Sequence, residues 1–214
     1  MKGKDYKVNF KIVLIGIAIV SIIANVYQYG KIYNYKKALK KDSYDNIEAI
    51  RYTNESILTI LEACTEAKVI NREELTMLYT TYNTLVEYDN ELWKEYIKDE
   101  DNLFGSKLRS KEEINNTQLF WNIEKLLYNY LISSGEEIIL DDEILKDFSA
   151  MKLLSNEIND LYKEFYEKNN LNIDSEEKEK EMINKDYWIE IFEGIQEVTS
   201  KYIGYPFIYE EEKI

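Results

Sequence analysis

Histidine is absent from this 214-residue chain. Its absence excludes a Ser-His-Asp triad, an H-E-x-x-H zinc site and the Glu-x-x-His di-iron pattern. Cys64 is the single cysteine, so neither an intramolecular disulfide nor a multi-thiolate metal site can form. It sits with Leu61, Ala63 and Ala67, company that predicts a small buried hydrophobe. The seven glycines are scattered and build neither a P-loop nor a G-x-G-x-x-G turn. Pro206 is the only proline, and no glycine lies between Lys31 and Phe104. With both helix breakers so scarce, helices are expected to dominate.

Arginine is scarce too, with three residues against 24 lysines. Together with abundant Ile, Asn and Tyr, this is the bias of A/T-rich coding DNA, and it reads as a low-GC bacterial chain. Acidic residues are rare only at one end. Residues 1–41 hold nine Lys and the single acid Asp5, net +8, and the other 18 basic and 40 acidic residues leave −22 on the rest. So acidic a domain is a poor match for phosphate backbones, and no nucleic-acid partner is expected. The chain is nevertheless 45% hydrophobic and 14% aromatic, enough apolar surface to offset the entropy of ordering one packed domain.

The longest uncharged run is Ile12–Val26, IVLIGIAIVSIIANV, and Val8 and Phe10 lengthen it on the N-terminal side. As a helix, Val8–Val26 is about 28 Å long, close to the ~30 Å of a bilayer's hydrocarbon core if Lys11 snorkels. Its anchor residues are Val8, Phe10, Ile12, Leu14, Ile15, Ile19, Ile22, Ile23 and Val26, with Tyr27 and Tyr29 at the headgroup level. A cleaved signal peptide fits less well, because Ile22 stands where an A-x-A-like site ending at Ala24 needs a small residue. A soluble core helix would not need Lys2, Lys4, Lys7 and Lys11 before it and Lys31, Lys36, Lys37, Lys40 and Lys41 after it. The lysine flanks nearly balance. The layout of a basic tail before an apolar run favours a cytoplasmic N-terminus and an extracytoplasmic domain, in a single-pass cell-membrane protein.

Beyond the anchor, apolar residues at helical spacing, Ile32, Tyr35, Leu39, Ile47, Ile50, Ile57, Leu58, Leu61 and Cys64, predict one helix continuing to about Lys68. Asn71 and Glu74 have capping-box spacing ahead of a stripe of Leu75, Leu78, Tyr79, Tyr82, Leu85, Val86, Leu92, Trp93, Tyr96 and Ile97. Ser110 and Glu113 repeat that spacing before Trp121, Leu127, Tyr130 and Leu131, and Gly135 is expected to close that helix. Asp141 or Asp142 caps a helix through Leu145, Phe148, Ile158, Leu161, Tyr162 and Phe165. Asp174 or Ser175 opens a last helix carrying Ile183, Tyr187, Ile191, Ile195, Val198 and Tyr202, stopped by Gly204 and Pro206. The expected fold is all-α: one N-terminal transmembrane helix followed by an antiparallel helical bundle. Short connections favour the bundle over a coiled-coil stalk. The corresponding segments are a basic tail at 1–7, the span and its interfacial end at 8–29, a juxtamembrane helix at 30–68, the bundle at 69–204 and an aromatic, acidic tail at 205–214.

Chemistry is harder to find. Asp99-Glu100-Asp101-Asn102 suggests a calcium loop, but Leu103 and Phe104 occupy the positions where an EF-hand needs an oxygen ligand and a glycine. The pairs Glu73/Glu74, Glu112/Glu113 and Asp141/Asp142 suit helix N-termini, where negative charge offsets the macrodipole. Tyr79, Tyr82, Trp93 and Tyr96 can line a groove or fill a core, and the spacing favours the core. The apolar tail, with Tyr205, Phe207, Ile208 and Tyr209, either docks on the bundle or contacts a partner. These readings describe a non-enzymatic interaction or scaffold module at the cell envelope, with membrane lipid and a protein partner and with no cofactor or metal. The alternative is an extracytoplasmic sensory or small-ligand-binding module, weakened by the lack of a cytoplasmic signalling domain.

Overall fold

Helix α1 runs without a break from Phe10 to Ala67, as the scarcity of breakers predicts. The computed structural model describes residues 10–102, 117–133 and 135–207, with the backbone alone at 10–13, 98–102 and 117. Val8, Ser110, Glu112, Glu113, Gly105, Ile208 and Tyr209 lie outside the described residues. At Lys68 the backbone turns left-handed, with φ 55°, a conformation that costs an L-residue about 1–2 kcal/mol and stops the helix abruptly.

The turn delivers the chain into strand β1 (Val69–Asn71), which pairs antiparallel with β2 (Glu137–Ile139) in the register Val69 with Ile139, Ile70 with Ile138 and Asn71 with Glu137. Arg72 N donating to Glu136 O (2.9 Å) and Leu140 N donating to Lys68 O (3.0 Å) extend the ladder at both ends. This small sheet is an addition to the helices expected from sequence. Three residues are too few to display a period of two, and the partner strand lies far along the chain.

Helix α2 spans Arg72–Asn102, α3 Thr117–Ser133 and α4 Asp142–Lys168. The capping box at the start of α2 is reciprocal: Glu74 N donates to Asn71 Oδ1 at 2.9 Å, and Asn71 N donates to Glu74 Oε2 at 3.1 Å. Asp141 caps α4 by accepting from Glu143 N and Ile144 N, both at 3.0 Å. Gly135 follows the end of α3 without a positive φ, so it does not act as the left-handed cap expected of it.

The expected last helix is two helices, α5 (Ser175–Asn184) and α6 (Tyr187–Ser200). Asp174 caps α5 through Glu176 N at 2.9 Å. Asp186 then takes φ 53°, a left-handed conformation that Asp tolerates better than most residues. No glycine or proline marks that break, so the apolar spacing reads through it.

The chain divides into two compact units, Met1–Lys41 and Asp42–Ile214. In the second, α2 packs on α3, and α6 packs on both α4 and α5. At Gly194 a Cβ would lie 2.7 Å from Leu161 Cδ1, so the missing side chain lets α6 approach α4 closely. The core takes Ile47, Ile50, Ile57, Leu61 and Cys64 from α1, together with Leu78, Tyr82, Phe120, Phe148, Phe192 and their neighbours. Two stripe residues are misplaced by the sequence reading. Trp121 is 50% exposed and Ile97 42% exposed. Trp121 stands about 160° around the helix from the buried Ile123, on the opposite face of α3. With these corrections the protein is all-α, a long N-terminal helix followed by a helical bundle.

Candidate functional site

Among the described residues, the first unit presents an exposed apolar surface. Leu14, Ile15, Ile17, Ile19, Val20, Ile22, Ile23 and Val26 are each 50% to 68% exposed. None of the apolar window of this helix is buried, and the helix is long and apolar enough to cross a membrane. Phe10 and Ile12 belong to the same helix. Beyond Val26 the rings of Tyr27, Tyr29, Tyr33 and Tyr35 are exposed, and Lys31 Nζ lies 5.1 Å from the centre of the Tyr27 ring. A ring with an apolar body and a polar tip suits a boundary between hydrocarbon and water.

The second unit buries the carboxylates of Glu48, Asp89 and Asp147. Glu48, on the part of α1 that enters the bundle, is 8% exposed. Its carboxylate accepts hydrogen bonds from Lys178 Nζ of α5 at 2.9 Å, from Arg51 of α1 at 3.1 Å and from the Tyr166 hydroxyl of α4. Burial pushes the Glu48 carboxyl up, but Tyr166, Lys178 and Arg51 together outweigh it and hold the group below its ordinary value. The same burial, reinforced by Glu48, pushes the Tyr166 hydroxyl far up and Tyr44 up to about 12. Arg51 stacks 3.9 Å from the centre of the Tyr52 ring and also pairs with Glu55 at 2.7 Å. A carboxylate so fully engaged is held ionised and acts as a clamp between three helices rather than as an acid or base.

Nothing in sequence spacing marks this cluster, because Glu48 and Lys178 are 130 positions apart. Its neighbours also cross between α1 and α4. Tyr162 Oη donates to Ile47 O at 2.7 Å, and buried Asn54 donates to Ser155 O at 2.8 Å and to Asn159 Oδ1 at 2.7 Å.

The aromatic candidates fill the interior. Tyr82 is buried, and Tyr79, Trp93 and Tyr96 pack against the core from its edge. Trp93, Tyr96 and Phe192 form a trio with ring centres 5.6–6.2 Å apart, and Tyr96 Oη donates to Glu193 at 2.8 Å. Tyr79 meets Tyr128 at 5.9 Å.

Of the tail residues, Phe207 is 5% exposed and Tyr205 half-buried, with their rings 4.6 Å apart. Tyr205 Oη donates to Asp147 Oδ1 at 3.0 Å, and the Tyr130 hydroxyl approaches the other oxygen of this buried carboxylate at 3.4 Å. Upstream, Lys201 and Tyr202 both donate to Glu157, at 2.6 and 2.7 Å. The segment through Phe207 is therefore strapped onto α4. Beside it lies an open depression of about 370 Å³ lined by Asp142, Leu145, Lys146, Ser149 and Tyr205.

Glu73, Glu74 and Asp142 fall in the first turns of their helices, where they complement the macrodipole. Among the described residues, no three Cys, Asp or Glu side chains come together as a metal site. Compared with protein families, curated proteins and solved structures, the chain matches none.

Proposed function

We propose that this chain is a single-pass membrane protein whose helical bundle serves as a non-enzymatic interaction or scaffold module at the cell envelope. One observation carries the reading: eight large apolar side chains between Leu14 and Val26 are exposed in a chain whose other unit has a filled core. Burying such a set is worth on the order of 10 kcal/mol, so a soluble helix that forgoes it is disfavoured and a hydrocarbon environment is the natural cover. The basic tail before the run favours a cytoplasmic N-terminus and an extracytoplasmic bundle.

For protein contact, the supporting feature is an outward row on α3. Trp121, Tyr128 and Ile132 stand 50%, 49% and 66% exposed, rings and branched carbons that resemble an interface core more than a solvated face. The small-ligand alternative draws on the depression beside Tyr205, whose open form suits a buried ligand poorly.

The experiment is alkaline extraction of membranes from cells that make the full chain. The chain should stay in the membrane pellet, and an Ile19→Lys/Ile22→Lys variant should be released. A wild-type chain found wholly in the supernatant overturns the reading. Protease treatment of intact cells tests orientation: digestion of the bundle supports the proposed topology, and its protection while lysed controls are digested reverses it.

A further inference from the structure

No acidic residue occurs between Asp5 and Asp42, in a chain with 41 of them. The consequence is visible in the ion pairs. In the second unit, Lys168 pairs with Glu190, Lys180 with Glu176, Lys185 with Glu181 and Lys201 with Glu157, all at 2.6–2.7 Å. On the first unit's helix, Lys31, Lys36 and Lys37 are exposed and have no carboxylate partner among the described residues. The contact of Lys31 is with the face of Tyr27. Lys40 and Lys41 have interactions of their own.

The three lysines do not share a face. At 100° per residue, they fall about 140°, 100° and 120° apart around the helix axis. The exposed rings of Tyr27, Tyr29, Tyr33 and Tyr35 are also distributed around it. A protein partner docks against one side of a helix and would satisfy one or two of these charges. A layer that surrounds the helix satisfies all three.

Along the axis, Lys31 stands about 7 Å and Lys37 about 16 Å beyond Val26. The headgroup zone reaches about 5–8 Å past the hydrocarbon, and its potential extends roughly another 10 Å. Lysine stems can lean back toward it. Charge, direction and depth thus agree on one occupant.

We infer that Lys31, Lys36 and Lys37 form a cationic collar that binds anionic phospholipid headgroups around the helix. The inference rests on the membrane reading above and adds to it a choice of lipid: the chain selects lipids of net negative charge, beyond requiring an apolar layer. Each lysine close to such a surface strengthens association about fivefold, and the effect is screened by salt.

The test reconstitutes the full chain in phosphatidylcholine bilayers containing trace spin-labelled phosphatidylglycerol or spin-labelled phosphatidylcholine. Electron spin resonance then compares how much of each label is immobilised at the protein surface. The anionic label should be favoured about twofold or more over the whole lipid shell. The preference should fall in the Lys31→Gln/Lys36→Gln/Lys37→Gln variant, which keeps Lys2, Lys4, Lys7 and Lys11 on the other flank, and weaken at about 0.5 M salt. A Lys168→Gln/Lys180→Gln/Lys185→Gln variant removes the same charge from exposed pairs of the second unit and should keep the preference. Equal immobilisation of both labels by the unaltered chain, or a preference undiminished in the collar variant, overturns the inference while leaving the anchor intact. A chain that stays outside the bilayer and immobilises neither label overturns both.

Discussion

Lys178 of α5 donates to Glu48 of α1 across 2.9 Å, and both side chains are at most 15% exposed. Arg51 and Tyr166 approach the same carboxylate, so one buried negative charge ties α1, α4 and α5 together. Removing one partner from such a site leaves the others charged or polar in a poorly hydrated interior.

Glu48→Gln is expected to destabilise the second unit by about 3 kcal/mol. Lys178→Met should cost less, about 1–2 kcal/mol, because Glu48 keeps Arg51 and Tyr166. Denaturant unfolding followed by tryptophan emission reads both, since Trp93, Trp121 and Trp188 all belong to this unit. Equal losses in the two variants would contradict the shared-carboxylate arrangement.

Acid should weaken the bundle partly through the same residue. The Glu48 carboxyl is held below its ordinary value of 4.5, so the unfolded chain binds its proton first as pH falls. The stabilisation is present above pH 4.5 and is lost as pH drops toward the folded value. Glu157, held down by Lys201 and Tyr202, acts in the same direction. A stability profile between about pH 3 and pH 7 should be shallower in Glu48→Gln. An unchanged slope would assign the acid response to other groups.

Cys64 should be inert in the native chain. It is 2% exposed, and burial, reinforced by Glu74, pushes its thiol up to about 11. A disulfide reagent at about pH 8 should label it only after unfolding, because the thiolate is the reactive species. Rapid labelling under native conditions would contradict the burial.

The strap offers a local test. Phe207→Ala should cost about 2–3 kcal/mol, at the low end for a buried phenylalanine because the segment can give way. Tyr205→Phe removes the bond to Asp147 and should cost about 1–2 kcal/mol. The Tyr205 hydroxyl is pushed up to about 12 by burial and by Asp147. Its contribution is therefore complete below pH 10 and lost as pH rises toward 12, which ultraviolet titration of tyrosinate can follow. Cleavage after Lys201 by trypsin should accelerate in Phe207→Ala, and equal rates in the two proteins would show that Phe207 does not hold the strap.

At the start of α2, Asn71→Ala should destabilise by about 1 kcal/mol, the usual value of an N-cap. Glu74→Ala should cost less, because it removes only the reciprocal bond to Asn71 N. Thermal unfolding of the pair and of the double variant reads their coupling, and additive losses would contradict the reciprocal box.

What is local in this protein was legible in its residues. The long α1, its end near Lys68, the Asn71–Glu74 box, the caps at Asp141 and Asp174 and most of the buried stripe all depend on spacings of seven residues or fewer, which a helix converts directly into one face or one turn. The apolar run from Leu14 to Val26 is equally local, since composition and length alone decide whether a helix can cross a membrane.

The rest depended on tertiary structure. The β1–β2 pair joins three-residue strands too short to show a pattern, and the break at Asp186 depends on how α5 and α6 each meet the core. Trp121 and Ile97 read as core residues from spacing alone, because aromatic and branched residues suit both a core and an interface. The Glu48 cluster and the strapping of Tyr205 and Phe207 onto α4 join residues 58 to 130 positions apart. Hydrogen bonds over such separations leave no periodic trace along the chain. Its residues determined which segments become helices and which helix stays apolar to the outside, and only the folded bundle decided which charges meet inside it.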